Sequence, residues 1–413
     1  MSTQPLAIVA GVRTPFARMG SDLSRLPADE LGRVAVNALL TQTGMDPAII
    51  DEVIFGCVAQ PADAVNVARV IALRAGIPES VPAMTVQRNC ASGCEAITRA
   101  WEKLVAGTGE VFVVGGTESM SNMPLLFSTA AQEKFFHLSK ARTPGARVRE
   151  MLKFRPSDFK PRVGLRMGLT DPVCGLNMGE TAELLAREAG ITRDMQDAFA
   201  LESHQKALAA RERLRGEICP VFLDGNAMED DNGPREGQSL EALAKLRPVF
   251  DPKLGTVTAG NASQITDGAV ALLVMSEAKA EALGFQPLGL LVGHAYAGCE
   301  PARMGLGPVH AMARATERTG LRPEQADLVE INEAFACQVL AVLKEVDSIP
   351  RERLNVNGGA IALGHPVGAT GARLVLTSLL ELKRRRAQRA LVTLCVGGGQ
   401  GAALWLENPE ARS

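Results

Sequence analysis

The chain contains 413 residues, of which 46% are apolar and 22% are charged, and its formal net charge is −2. This length exceeds the usual size of one domain and predicts two or three domains. The balanced charge gives no general indication of binding to nucleic acid or to a membrane surface, so a soluble enzyme is the expected class.

Cysteine usage and the N-terminal residues indicate the expected compartment. The eight cysteines show no paired spacing, and no Cys-x-x-Cys pair occurs. In a chain of this length we expect reduced thiols, and neither a disulfide framework nor a metal site is predicted. The first ten residues lack a basic stretch followed by a long apolar one, and no run approaches about 18 apolar residues. We therefore expect a cytoplasmic protein.

The first candidate reactive residue in chain order is Cys90, within Arg88-Asn89-Cys90-Ala91-Ser92-Gly93. A short apolar run ends at Val86, and a helix-forming run extends over 94–105, so Cys90 is predicted to lie on a strand-to-helix turn. The start of a helix carries partial positive charge and free backbone N–H groups, which favour a thiolate and a developing oxyanion. Cys90 is a candidate nucleophile, although a buried structural cysteine would give the same local signal.

The segment 121–246 differs from the rest of the chain, with polar loops, acidic turns and two predicted helices at 180–189 and 193–215. A core-like pattern resumes at 247, so we interpret the segment as an insertion. Within it, 134–166 contains ten Lys or Arg residues against two acidic residues, with phenylalanines between the charges. Three interpretations stay open: a solvated surface, a surface that attracts phosphate groups, or a contact surface for a partner or a membrane.

Three further motifs lie in the last third of the chain. Asn332-Glu333-Ala334-Phe335 follows an apolar run, His365 lies in the glycine-rich segment 357–366, and Cys395-Val396-Gly397-Gly398-Gly399 follows a strand-like run. Taken singly, the Asn332 motif would suit a turn at the end of a strand, and the Cys395 motif would suit a buried cysteine before a turn. Together with Cys90 they provide a nucleophile, a base and a second thiol.

The chain also repeats itself. Thr43-Gly44-x-x-Pro47-x3-Asp51-x-Val53 recurs as Thr319-Gly320-x-x-Pro323-x3-Asp327-x-Val329, at a constant offset of 276 positions. Such a repeat of turn residues before a strand suggests a duplication, with strands and helices alternating in each half. Because Cys90 belongs to one half and His365 and Cys395 to the other, we expect an active site where the halves meet.

Together these motifs resemble the thiolase family, and the resemblance extends over nearly the whole chain. It rests on the Cys90 motif, the three C-terminal motifs and four others: Gly115-Gly116-Thr117-Glu118-Ser119-Met120-Ser121, Met178-Gly179-Glu180-Thr181-Ala182-Glu183, Gly255 to Ser263, and Thr266-Asp267-Gly268-Ala269. The resemblance implies an α/β thiolase fold of duplicated, layered α/β halves with an inserted loop domain. The expected boundaries are 1–120 plus 247–276, the insertion 121–246, and 277–413.

The resemblance also implies roles for individual residues. Cys90 would be the nucleophile that carries an acyl group, His365 the base that activates it, and Cys395 the acid/base that handles protons of the enolate and of coenzyme A. One oxyanion hole would combine His365 with a water held by Asn332, and the other the backbone N–H groups of Cys90 and Gly397. The residues expected to contact the pantetheine or form the pocket wall are Ser263, Ala259, Met178, Met304 and Phe335.

The implied activity is thiolytic cleavage of 3-ketoacyl-CoA or the reverse Claisen condensation of acetyl-CoA. Coenzyme A and acyl-CoA would be substrates, no cofactor would be bound permanently, and a homodimer or homotetramer is expected. A β-oxidation partner subunit, and membrane contact through 134–166, stay open. The alternatives are an inactive scaffold subunit of a fatty-acid oxidation complex and a ketoacyl synthase-like condensing enzyme.

Two positions depart from the commonest biosynthetic pattern of the family. Asn177 stands where His is frequent, and Gln400 stands where Met is frequent. The long segment between Met120 and Met178 is similar to the β-subunits of fatty-acid oxidation complexes, whereas Asn332, in place of His, is not. The sequence therefore leaves acyl chain length and physiological direction open.

Overall fold

A computed structural model describes residues 4–412. Ten strands form one sheet in the order β12-β13-β14-β11-β1-β10-β5-β3-β4, with β2 paired to β10, while β6–β7 and β8–β9 form separate pairs. The strands are β1 (Leu6–Arg13), β2 (Ala17–Arg18), β3 (Glu52–Gly56), β4 (Ala83–Val86), β5 (Val111–Glu118), β6 (Leu125–Leu126), β7 (Arg162–Val163), β8 (Val221–Leu223), β9 (Asn226–Met228), β10 (Thr266–Ser276), β11 (Gly289–Gly298), β12 (Leu328–Ile331), β13 (Arg389–Val396) and β14 (Gln400–Glu407).

Helices lie in most of the connections between these strands, and several follow one another without an intervening strand. They are α1 (Ala28–Thr43), α2 (Val67–Arg74), α3 (Ser92–Val105), α4 (Thr129–Lys140), α5 (Pro144–Met151), α6 (Gly164–Gly168), α7 (Met178–Glu188), α8 (Arg193–Ala209), α9 (Arg211–Arg215), α10 (Leu240–Ala244), α11 (Glu277–Ala282), α12 (Gly307–Thr319), α13 (Ala336–Glu345), α14 (Ala360–Leu363) and α15 (Val367–Arg385). The helix predicted at 193–215 is thus divided into α8 and α9, with Ala210 between them.

The sheet consists of two halves with the same strand pairing. In the first half, β1–β10 and β10–β5 are antiparallel, while β5–β3 and β3–β4 are parallel. In the second half, β11–β14 and β14–β13 are antiparallel, while β13–β12 is parallel and a parallel bridge joins Val329 to Leu354. A short antiparallel pairing of β1 with β11 joins the halves.

The duplication predicted from the sequence is confirmed at the level of single hydrogen bonds. Helices α1 and α12 both end at a left-handed glycine, Gly44 with φ 63° and Gly320 with φ 74°. The Asp51 carboxylate accepts the backbone N–H groups of 110 and 111, and the Asp327 carboxylate accepts those of 388 and 389. Gly44 and Gly320 are 276 positions apart, as are Asp51 and Asp327, which is the offset of the repeat in the sequence.

The buried side chains arrange the fold in layers. Alternate residues of β1 face two different cores, with Leu6 and Ile8 in one and Ala7 and Val9 in the other. The first core also contains α3, α15 and the inward-facing residues of β13, so these two helices lie between the two halves of the sheet. Helices α1 and α2 cover the outer face of the first half, and α12 and α13 cover that of the second. Side chains are buried all around α15, as expected for a central helix.

Glycines allow the two central helices to approach each other closely. A Cβ atom added to Gly93 would lie 2.6 Å from the backbone nitrogen of Ala372, and one added to Gly371 would lie 2.6 Å from that of Cys94. Backbone contact of this kind excludes larger residues. It brings the start of α3, which follows Cys90, against the start of α15, which follows His365.

Residues 123–170 form a compact unit of their own, and the remaining chain forms the other unit. The small unit contains α4, α5, α6 and the β6–β7 pair. Its apolar contacts centre on Phe135, whose ring lies 4.8 Å from that of Phe154 and 6.2 Å from that of Phe159. Lys134 pairs with Asp158 at 2.7 Å, while Leu152 is 80% exposed. The basic stretch predicted at 134–166 lies within this unit.

Among residues 4–412 no helix is long and apolar enough to cross a membrane. The same residues contain no group of three or more His, Cys, Asp or Glu side chains that could hold a metal ion.

Candidate active site

Cys90 lies on the turn between β4 and α3, as the sequence predicts. Asn89 has φ 42°, a left-handed conformation that Asn tolerates better than most residues. The Arg88 N–H donates to Ser92 Oγ at 2.9 Å, and this hydroxyl donates to the Asn89 carbonyl at 2.7 Å. These bonds fix the half-buried Cys90 directly before the first turn of α3.

The environment of Cys90 keeps its thiol protonated at rest but supplies donors to a negative charge. Burial raises the pKa of Cys90, while the backbone N–H groups of Gly397 and of Cys90 itself act in the opposite direction. Asn89 Nδ2 donates to the Gly397 carbonyl at 2.7 Å and so holds the two loops together. The two backbone donors predicted to form an oxyanion hole therefore lie at the same sulfur.

Cys395 is the second thiol of the site and is more deeply buried. It lies at the end of β13 with 1% of its surface exposed. Burial raises its pKa well above the ordinary value, and the charge of a Cys90 thiolate would raise it further. At neutral pH Cys395 is thus a proton donor, and its thiolate, once formed, is a strong base.

His365 follows the short helix α14 and Gly364, whose φ is 103°. Its Nδ1 lies 2.6 Å from Thr370 Oγ1, and the Thr370 hydroxyl is also placed to donate to the Pro366 carbonyl at 3.0 Å. Because a hydroxyl has one proton to donate, this pattern assigns the imidazole proton to Nδ1 and leaves Nε2 as an acceptor. Nε2 is buried and has no hydrogen-bond partner among residues 4–412.

The protonation of His365 suits a base. Burial lowers its pKa to about 4, and the nearby positive charge of Arg373 contributes in the same direction. The imidazole is therefore neutral at pH 7 and can accept a proton through Nε2.

Asn332 lies at the end of β12 and is fully buried. Its backbone N–H donates to the Thr393 carbonyl at 3.0 Å, but neither atom of its side-chain amide has a partner among the described residues. Buried amide groups normally form hydrogen bonds, so this amide suits a water molecule or a substrate oxygen.

Two buried carboxylates support the loops of the site. Glu333 accepts hydrogen bonds from Ser203 Oγ at 2.6 Å, Asn355 Nδ2 at 2.8 Å and the Ile361 N–H at 3.1 Å. Glu118, to which the sequence analysis gave no role, accepts the Gly368 N–H in the first turn of α15 at 2.9 Å. Gly368 lies 250 positions from Glu118 in the sequence, so no local signal would have revealed this contact.

The predicted pocket-wall residues form one apolar cluster. Met178, Met304, Phe335 and Cys395 all belong to it. A Cβ atom added to Gly397 would lie 3.3 Å from the Met178 sulfur, so this wall adjoins the catalytic loop. The cluster also contains Phe250, which the sequence analysis did not identify and whose ring lies 6.3 Å from that of Phe335.

The two residues expected along the pantetheine lie in different environments. The Ser263 N–H donates to the Ala334 carbonyl at 2.9 Å, so Ser263 adjoins the pocket wall. Ala259 lies on the same segment but is exposed at the surface.

Two family models match nearly the whole chain. Residues 6–278 match the family model "Thiolase, N-terminal domain", and residues 285–408 match "Thiolase, C-terminal domain". The chain is 44% identical to an acetyl-CoA acetyltransferase of Pseudomonas aeruginosa, covering 98% of this chain and 99% of the relative. It is 40% identical to a 3-ketoacyl-CoA thiolase of Pectobacterium atrosepticum, covering 97% and 96%. The crystal structure of human mitochondrial 3-ketoacyl-CoA thiolase in complex with CoA superimposes with a TM-score of 0.89 at 37% identity, covering 98% of each chain.

Proposed function

Because this chain belongs to the thiolase family and is an acyltransferase of the thiolase type, we propose that it cleaves 3-ketoacyl-CoA with coenzyme A, or condenses acetyl-CoA in the reverse direction. The observation that carries this proposal is the meeting of Cys90 and Gly397 from opposite halves of the fold. The scaffold alternative is not supported, since Cys90, Asn332, His365 and Cys395 are all present.

In the first step, His365 Nε2 accepts the Cys90 proton, and the thiolate adds to the keto carbon. The resulting oxyanion is stabilised by the backbone N–H groups of Cys90 and Gly397. The bond between the keto carbon and the adjacent methylene then breaks. This leaves the acyl group on Cys90 and releases the enolate of acetyl-CoA.

In the second step, Cys395 donates its proton to the enolate carbon. The enolate oxygen would be stabilised by a water on Asn332 and by the imidazolium of His365. The Cys395 thiolate then removes the thiol proton of the incoming coenzyme A, and the coenzyme A thiolate takes the acyl group from Cys90. The burial that raises the pKa of Cys395 suits it to both transfers.

The domain boundaries are also part of the proposal: halves at 1–120 plus 247–276 and at 277–413, with the insertion 121–246 as a loop domain. Support comes from the sheet, since no named strand of the described chain between 119 and 265 joins it. Ser263 and Ala259 would contact the coenzyme along the segment 255–263. Homo-oligomerisation, cytoplasmic location and a partner subunit remain predictions from the sequence.

Acyl transfer to Cys90 tests this function directly. Brief incubation with acetyl-CoA, quenching and peptide mass spectrometry should find an acetyl group on the peptide 89–99. This peptide also contains Cys94, which is fully buried, so fragmentation must locate the group. Cys94→Ala should retain the label and Cys90→Ala should lose it. Acetylation of Cys94 or Cys395 in wild-type protein with unmodified Cys90 would reverse the assignment.

A second experiment defines the substrate. It compares the rates of thiolysis of 3-ketoacyl-CoA substrates of different acyl chain lengths and measures the condensation of acetyl-CoA alongside.

A further inference from the structure

Gln264 makes an unusual set of contacts with the loop that carries His365. Its Nε2 lies 3.0 Å from each of the carbonyl oxygens of Ile361, Ala362 and Gly233. Because the amide nitrogen has two N–H groups, one of them is shared between two of these carbonyls. Its backbone carbonyl accepts the His365 N–H at 2.9 Å, and its backbone N–H donates to the Ala360 carbonyl at 3.4 Å. Gln264 is therefore hydrogen-bonded to both ends of the segment 360–365.

The three carbonyl groups define the orientation of the Gln264 amide. The nitrogen carries the protons, and an amide oxygen in the same place would be repelled by three carbonyl oxygens. Two of the three carbonyls belong to α14, which is only four residues long. A helix this short has no internal N–H donors for its last carbonyl groups and little stability of its own. Gln264 supplies the missing donor.

Gln264 also connects the base to the expected substrate side of the site. It directly follows Ser263, whose N–H is bonded to Ala334, next to Phe335 of the pocket wall. On the other side, Gly233 packs so closely on α14 that an added Cβ would lie 2.2 Å from the Ala362 carbonyl oxygen. The Gln264 amide thus ties three separate chain segments together at the His365 loop.

From this geometry we propose that Gln264 is a positioning residue, which holds His365 in the orientation needed to accept the Cys90 proton. The inference rests on the proposed function. Gln264 does not touch the reacting atoms and acts through α14 and the backbone of His365. Thr370 fixes the imidazole through Nδ1, whereas Gln264 fixes the backbone from which the ring extends.

The test uses Gln264→Met, which keeps the length of the side chain but removes the donor. We expect kcat for thiolysis to fall about 10- to 100-fold, because small displacements of a general base are costly. The KM for coenzyme A should change less than about twofold, since the backbone of Ser263 is retained. Gln388→Met is the matched control, because Gln388 bonds through its backbone, with its N–H donating to Asp327 and its carbonyl accepting the Asn408 N–H, and it should have wild-type kinetics.

A second measurement needs no substrate. Alkylation of Cys90 by iodoacetamide depends on removal of its proton, so Gln264→Met should slow it towards the rate of His365→Ala. Thermal unfolding should show that Gln264→Met is folded. If Gln264→Met does not fold, the same measurements are made on Gln264→Ala, whose smaller side chain leaves space for water at the carbonyl groups. Unchanged kcat and alkylation in a folded variant, or a rise in KM alone, would overturn the proposal. If wild-type protein cleaves no 3-ketoacyl-CoA, the proposed function fails, while the alkylation rates still decide the role of Gln264.

Discussion

The two thiols of the site differ because of the groups around each sulfur. Cys90 receives the backbone N–H groups of Gly397 and of its own residue, which moderate the effect of burial on its pKa. For Cys395 the effect of burial dominates, and its pKa lies well above the ordinary value. One thiol is thus suited to hold a developing negative charge and the other to hold a proton.

The separation of roles predicts a selective defect for Cys395→Ala. Overall thiolysis should fall by at least about 10²- to 10⁴-fold, because the enolate loses its proton donor and coenzyme A loses its base. Slow acetylation of Cys90 by acetyl-CoA should persist, since His365 and the oxyanion donors are intact. Steady-state kinetics and mass spectrometry of the same preparation measure both properties. Turnover at the wild-type rate would show that Cys395 is not the acid/base.

Among the elements, the crossing of α3 and α15 determines how the halves of the site meet. The helices touch through backbone atoms at Gly93 and Gly371, and each begins shortly after a catalytic residue. A change in their separation would therefore move Cys90 relative to His365.

This crossing predicts different outcomes for two glycine substitutions. In Gly93→Ala the new methyl group would lie 2.6 Å from the Ala372 nitrogen, so the helices must separate. We expect a loss of about 1–3 kcal/mol in the free energy of unfolding and of about 10²-fold in kcat. Gly44→Ala meets no atom within 4 Å but has φ 63°, so it should cost about 1 kcal/mol and leave kcat unchanged. Urea unfolding measures the free energy of unfolding of both variants, and steady-state kinetics measure their kcat. Equal kcat values for Gly93→Ala and Gly44→Ala would show that the crossing of α3 and α15 does not control activity.

On the scale of the whole molecule, the protein buries several titratable groups whose effects on stability oppose one another. Burial lowers the pKa values of His204, His294 and His365 to about 4 each. Burial raises the pKa of Glu330 to about 7. On acidification the histidines destabilise the fold, because the unfolded chain takes up their protons first, whereas Glu330 stabilises it. A comparison of variants is therefore more informative than the wild-type curve alone.

His294 is the suitable position for such a comparison, since its ring packs against that of Trp101 at 5.2 Å and the proposed mechanism gives it no role. Its folded pKa is below the unfolded value near 6.5, so its contribution is lost as the pH falls from about 6.5 towards 4. Between pH 7 and pH 5, His294→Phe should lose less stability than wild type, by on the order of 1–2 kcal/mol. Urea unfolding at both values measures the difference. A parallel decline of the two proteins would mean that His294 is not held neutral.

The sequence determined the features that depend on neighbouring residues. The turn at Cys90, the start of α8 at Arg193 and the glycine that ends α1 follow from local patterns of apolar, capping and turn residues. The repeat at 276 positions likewise predicted two equivalent halves and a site between them. These features can be predicted from the sequence because the interactions that produce them join residues that are close together in the chain.

Only the tertiary structure identified Gln264 and Glu118, the pocket-wall residue Phe250, and 123–170 as a separate compact unit. It also showed how the surroundings of the two thiols differ, since backbone N–H groups moderate the effect of burial at Cys90, whereas burial dominates at Cys395. The physical reason is that burial and the hydrogen bonds of these groups come from chain segments far apart in sequence. Glu118 meets Gly368 across 250 positions and Gln264 meets Ala362 across 98. These groups are removed from water, and meet their hydrogen-bond donors, only when the folded chain has brought these segments together.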